Sequence, residues 1–174
     1  LYEIESGSNT ILKRIKKGFT IEEARTVVER TIHYIPVVYT TYIWGYPYET
    51  MEDFYKSVMC IYEDMRFPNV IPSFYLLCPY PTSQLCREYF DTLKFSDRLS
   101  PGIGGLPRWE TLEKYPSLCN LIRKYPSIFA SFYYFDHENV DKKKKIVEQL
   151  AAKEKNRPLK IRTPLFEKQS SRTG

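Results

Sequence analysis

The chain has 174 residues, 43% of them hydrophobic and 27% charged, which is enough for one well-cored domain and too little for two large ones. No run approaches 18 apolar residues, so a transmembrane helix is excluded, and Glu3 and Glu5 stand where a signal peptide would carry a basic region. The formal net charge of +5 is uneven: residues 1–141 hold 15 Lys and Arg against 18 Asp and Glu, and residues 142–174 hold 11 against 3. The basic character belongs to the end of the chain, read as a solvated helix and a flexible tail.

Cys60, Cys78, Cys86 and Cys119 form no C-x-x-C pair, and the chain is no small cysteine-dense scaffold. Free thiols in a reducing cytoplasm are the expectation, with no metal ligands assigned. Leu1 opens the text inside a strand-like run, which points to a fragment.

Tyr2 to Glu5 reads as a short strand, and Ser6-Gly7-Ser8-Asn9 as a polar turn. Ile11, Leu12 and Ile15 follow at helical spacing and stop at Gly18. Thr20 with Glu23 forms a capping box, after which Ala24, Val27, Val28, Thr31, Ile32 and Ile35 make one apolar stripe, closed by Pro36. Val37 to Trp44 carries no charge and predicts a strand buried on both faces. Gly45 to Glu49 is a loop, and Thr50 caps a helix whose apolar face holds Met51, Phe54, Tyr55, Val58, Met59, Tyr62 and Met65.

Val70 to Cys78 predicts a further strand, then the turn Pro79-Tyr80-Pro81-Thr82 and a helix from Ser83 to Leu93. Beyond Phe95 the pattern changes. Ser100 to Pro107 is a loop, Trp109 to Tyr125 a helix interrupted at Pro116, Phe129 to Phe135 an aromatic cover, and Asp141 to Asn156 a basic helix. Strand and helix alternate three times, which argues for an α/β fold with a parallel sheet: about three βα units of a partial (β/α) barrel, half of a TIM-type barrel. The expected organisation is this half-barrel over residues 1–93, a helical, aromatic-rich extension over 94–156, and a basic flexible tail over 157–174.

Ligands of parallel α/β sheets bind at the carboxyl ends of the strands, so the residues just after each strand are the candidates. Glu5, Ser6 and Gly7 follow the first strand: a carboxylate and a hydroxyl beside a glycine that admits a close backbone approach. Gly45 and Glu49 follow the second, with Ile43 on the strand itself. Turn residues and helix caps fill such positions in any α/β protein, so a purely structural role stands beside the functional one.

Together these segments resemble the radical S-adenosylmethionine enzymes. E-S-G-S-N-T-I-L-K-R-I-K-K-G-F-T is similar to the family's fourth strand and helix. Y-T-T-Y-I-W-G-Y-P-Y-E-T is similar to its fifth-strand pattern, with Ile43, Gly45 and Glu49 matching and Thr41 replacing a glycine. L-L-C-P-Y-P-T-S-Q-L resembles the sixth strand of the subgroup that often carries an N-terminal cobalamin-binding domain. The resemblance covers residues 1–93, and more weakly 94–150.

What the resemblance implies is a [4Fe-4S] cluster held by three cysteines in C-x-x-x-C-x-x-C, with S-adenosylmethionine on its fourth iron cleaved reductively to a 5′-deoxyadenosyl radical. Glu5 and Ser6, with Gly7, would face the ribose or methionyl part of the cofactor. Ile43 and the backbone around Gly45 would line the adenine slot, with Glu49 holding the turn. The cysteine motif is absent here, so the cluster would belong to a missing N-terminal half, and this fragment alone would be inactive. Implied partners are that half, an electron donor such as flavodoxin or ferredoxin, and a substrate that the sequence leaves unspecified. Cobalamin would be a further cofactor in that subgroup. A non-catalytic α/β binding module and an RNA-modifying protein with a basic tail are the competing readings.

Overall fold

The computed structural model describes residues 1–95 and 115–155. The loop at 100–107, the start of the Trp109 helix and the basic tail at 157–174 lie outside the described residues. In chain order come β1 (Tyr2–Glu5), α1 (Asn9–Arg14), α2 (Ile21–Thr31), β2 (Val38–Trp44), α3 (Met51–Asp64) and β3 (Val70–Leu76). The three strands form a parallel sheet in the order β1-β2-β3. That is the alternation expected from the sequence, as a small mixed α/β fold.

The local signals explain most of these elements. Thr20 and Glu23 make the capping box, with Thr20 Oγ1 accepting from the Glu23 N–H and the Glu23 carboxylate accepting from the Thr20 N–H at 2.7 Å. The preceding helix ends earlier than Gly18. Lys16 already takes a left-handed backbone (φ 59°), and Gly18 (φ 77°) follows as a second reversal. Helix α2 stops at Thr31, five residues before Pro36, and Val27 and Ile35 are exposed, so the buried stripe is narrower than the sequence pattern.

Strand β2 alternates. Val38, Thr40, Tyr42 and Trp44 are buried, whereas Tyr39 is exposed and Thr41 and Ile43 are half-buried. The expectation of a strand buried on both faces does not hold, because the Tyr39 side of the sheet is not covered as the Val38 side is. Helix α3 is rotated relative to its apolar stripe. Its buried face carries Asp53, Phe54, Ser57, Val58, Cys60, Ile61 and Asp64, and leaves Tyr55 and Met59 exposed. Two carboxylates are tolerated there because hydroxyls meet them.

The described chain divides into two compact units that interleave along the sequence. The first holds residues 1–42 and 52–73 and the part of the last helix from 146 on; the second holds 43–51 and 74–145 where described. In the first unit the core includes Ile4, Leu12, Val28, Val38, Phe54 and Val70. A polar knot sits within it: Thr40 Oγ1 and Tyr42 Oη donate to Asp64 Oδ2 at 2.7 and 2.9 Å. Burial holds the Asp64 carboxyl above the ordinary range, opposed by those two donors, and pushes the neighbouring Cys60 thiol up to about 11.

In the second unit, α4 (Gln84–Glu88) starts at Ser83, whose hydroxyl caps the Cys86 N–H at 3.1 Å. The helix is short. A 3₁₀ turn (Phe90–Thr92) and strand β4 (Leu93–Phe95) replace the helical continuation expected up to Leu93. Pro116 begins α5 (Pro116–Lys124) instead of interrupting a helix, as suits a residue with no N–H to donate. The aromatic segment forms a 3₁₀ turn (Ala130–Phe132) and β5 (Tyr133–Phe135), antiparallel to β4. Ile122 and Tyr133 centre a small core with Leu93, Phe95, Phe129 and Phe132. The extension, expected to be mostly helical, thus also carries this antiparallel pair of strands. Helix α6 (Val140–Lys155) matches the expected basic helix in span. It departs from a solvated helix where Val140, Lys143 and Leu150 are buried, and Lys143 is the charged residue among them.

Candidate functional site

Two turns carry the candidate residues, one in each unit. The first follows β1. Glu5 sits in a left-handed backbone (φ 77°), where two residues of β1 oppose one of β2 between Glu3 and Glu5. A non-glycine residue there is strained, a mark found often at ligand sites. Its carboxylate pairs with Lys17 Nζ at 3.2 Å and is partly exposed.

Ser6 and Ser8 of this polar turn are fully buried. Ser6 Oγ lies 3.3 Å from Ser57 Oγ and accepts from the Ser8 N–H at 3.1 Å. Ser57 Oγ accepts from the Gly7 N–H at 2.9 Å, and Ser8 Oγ donates to Asp53 Oδ1 at 2.5 Å. A Cβ on Gly7 would fall 2.5 Å from the Lys56 carbonyl oxygen, so glycine is what lets this turn lie against the backbone of α3. Ser6 and Gly7 are thus tied into the protein, while the Glu5 carboxylate reaches partly to solvent.

The second turn follows β2. Ile43 is half-buried, and Gly45 takes φ 90° and donates its N–H to Glu49 Oε2 at 3.1 Å. The Glu49 N–H donates to the Tyr46 carbonyl at 2.9 Å, closing the loop. Glu49 is itself buried and meets Lys143 of α6, whose Nζ donates to Glu49 Oε2 at 2.9 Å and to the Glu49 carbonyl at 3.0 Å. Lys143 Nζ also lies 3.0 Å from His137 Nε2, and His137 Nδ1 lies 2.9 Å from the Phe135 carbonyl. A carbonyl only accepts, so Nδ1 carries the proton and Nε2 accepts from the lysine. Burial, opposed by the Phe135 carbonyl and reinforced by the Lys143 charge, holds His137 below the ordinary histidine range.

Neither Lys143 nor His137 stood among the sequence candidates. Lys143 is hidden in the run Lys142 to Lys145, where four identical residues conceal the buried one. Beside this turn lies a cavity of about 450 Å³ that includes Tyr48, Thr50, His137 and Asn139 in its lining. In the first unit a more apolar cavity of about 580 Å³ flanks β1, lined among others by Tyr2, Ile4, Phe19 and Val27.

Among the described residues no group of three or more His, Cys, Asp or Glu side chains is placed to hold a metal ion, and the four cysteines are free thiols. No helix among the described residues is long and apolar enough to cross a membrane.

Part of the chain is similar to proteins of known name. It is 43% identical over 67 residues to the tRNA-2-methylthio-N(6)-dimethylallyladenosine synthase of Rhodopirellula baltica, covering 37% of this chain and 14% of that protein. To the corresponding synthase of Buchnera aphidicola it is 40% identical over 60 residues, 33% of this chain and 14% of the relative. To the probable threonylcarbamoyladenosine tRNA methylthiotransferase of Methanothermobacter thermautotrophicus it is 37% identical over 79 residues, 44% of this chain and 17% of the relative. The similarity thus spans about a sixth of these relatives' length or less. No family model matches the chain.

Proposed function

We propose that this chain is part of a radical S-adenosylmethionine enzyme and contributes to the binding of S-adenosylmethionine in a partial (β/α) barrel. The observation that carries this reading is the similarity to methylthiotransferases, which are enzymes of that class, at 37–43% identity over 60–79 residues. It agrees with the strand motifs quoted above. The names of these relatives speak for methylthio transfer to tRNA and give no support to cobalamin.

The residues present suit parts of such a cofactor. Glu5 offers a partly exposed carboxylate on a strained turn, suited to ribose hydroxyls or the methionyl ammonium. Ile43 offers a half-buried apolar side chain, and the left-handed Gly45 turns the backbone just beyond it, for the edge of a purine. Ser6, Gly7 and Glu49 serve these residues from within, since their polar groups bond inside the protein. The described cysteines do not fit a [4Fe-4S] cluster in the family's manner, so cluster ligation is assigned to a segment outside this sequence.

When bound at a reduced cluster, S-adenosylmethionine would supply a 5′-deoxyadenosyl radical. This chain's part is to hold and orient the cofactor. The test uses the intact enzyme that carries this chain, purified anaerobically, given S-adenosylmethionine and a low-potential reductant. Release of 5′-deoxyadenosine, dependent on reductant, is expected; its absence from a cluster-loaded preparation would overturn the reading.

A further inference from the structure

The second turn is held by an ion pair with no solvent exposure on either side chain, and its cation comes from a residue 94 positions further along the chain. All three ammonium N–H groups of Lys143 have acceptors: Glu49 Oε2, the Glu49 carbonyl and His137 Nε2. Glu49 Oε2 is also the atom that accepts from the Gly45 N–H. One carboxylate oxygen therefore joins Lys143 to the turn.

We propose that Lys143 and His137 are positioning residues for the Gly45 turn: Lys143, steadied by a neutral His137, fixes the Glu49 carboxylate on the Gly45 N–H, and protonation of His137 releases it.

The release follows from the geometry. A proton on His137 Nε2 would aim an N–H at an ammonium nitrogen 3.0 Å away, setting two donors and two positive charges against each other in a buried place. The groups facing His137 are Lys143 of α6, the Phe135 carbonyl, and the Asp136 carboxylate just after β5, with Glu49 of the β2–α3 loop across the lysine. Asp136 favours the protonated ring, while burial and Lys143 oppose it more strongly. With the folded-state affinity for the proton lowered, the clamp is complete above the ordinary histidine range and is lost as the pH falls below it.

The value of this device for cofactor binding rests on the proposed function; the clamp itself does not, and it is tested without cofactor. The experiment is amide hydrogen exchange of the 174-residue chain over a pH series, with each rate divided by its unstructured value at that pH. The reference amide is Leu77, which donates to the Trp44 carbonyl at 2.8 Å in the same unit and faces no titrating group in that bond. Protection of Gly45 is expected to fall roughly tenfold or more as His137 gains its proton, while that of Leu77 holds. In His137→Gln, whose amide oxygen can accept from Lys143 but has no proton to gain, Gly45 protection should stay level over the same range. Gly45 and Leu77 losing protection together, or the slope surviving in His137→Gln, would overturn the proposal.

Discussion

The turns after β1 and β2 meet the same demand, a backbone held in an uncommon conformation at the carboxyl end of a parallel strand, by different chemistry. The first is held by hydroxyls: Ser6, Ser8 and Ser57 exchange hydrogen bonds, and a single carboxylate, Asp53, receives Ser8. The second is held by charge: Glu49 and Lys143 are buried together, with His137 as the third member. Hydroxyl networks are small and need a close approach of backbones, which is why a glycine stands at position 7. A buried ion pair tolerates distance in sequence, but it leaves a costly orphan when either partner is lost.

The largest effect should therefore come from the second turn. Lys143→Met keeps the length and removes the charge, leaving the Glu49 carboxylate buried without its cation. Urea unfolding should show a loss of about 3–5 kcal/mol. Adding Glu49→Gln should recover part of it, because the amide oxygen still accepts from the Gly45 N–H while the unmatched charge is gone. A loss below about 1 kcal/mol would mean that the pair is dispensable and that the contrast between the turns is only one of appearance.

The first turn should respond to volume. Gly7→Ala pushes a methyl group onto the Lys56 carbonyl, backbone that cannot swing away, and should cost about 1–3 kcal/mol. Gly18→Ala is the control. It has an open surrounding, so only the left-handed backbone is penalised, at about 1 kcal/mol. Equal losses at both positions would show that the close approach to α3 is not what requires glycine at position 7.

These contrasts also explain which features could be read from the sequence. Local signals were reliable: the Thr20–Glu23 capping box, the helix start at Ser83, β1 from Tyr2 to Glu5, and the strand-helix alternation that becomes the parallel sheet. Facing was less so. The apolar stripe on α3 suggested that Tyr55 and Met59 point inward, whereas Asp53, Ser57 and Asp64 do, because Ser8 meets Asp53, Ser6 and Gly7 meet Ser57, and Thr40 and Tyr42 meet Asp64. No periodicity records such partners. Glu49 was visible as a candidate, but Lys143 looked like one lysine in a solvated run, and only the fold distinguishes it from its neighbours. Position 93 was lost for a similar reason: Leu93 pairs with Phe135 in a β-ladder, a long-range choice that overrides helical spacing.

Under the proposed function these turns serve S-adenosylmethionine, and the Glu5 carboxylate is the group whose change tells most. Its carboxylate is partly exposed and its pair with Lys17 lies near the surface, so it contributes little to stability. Glu5→Gln in the intact enzyme keeps the shape and removes the charge. Calorimetric titration with S-adenosylmethionine should show affinity weakened by about 1–3 kcal/mol, roughly 5- to 150-fold, with the melting temperature of the cofactor-free protein unchanged. Unchanged affinity with a lowered melting temperature would contradict the claim and assign Glu5 to the architecture of the turn.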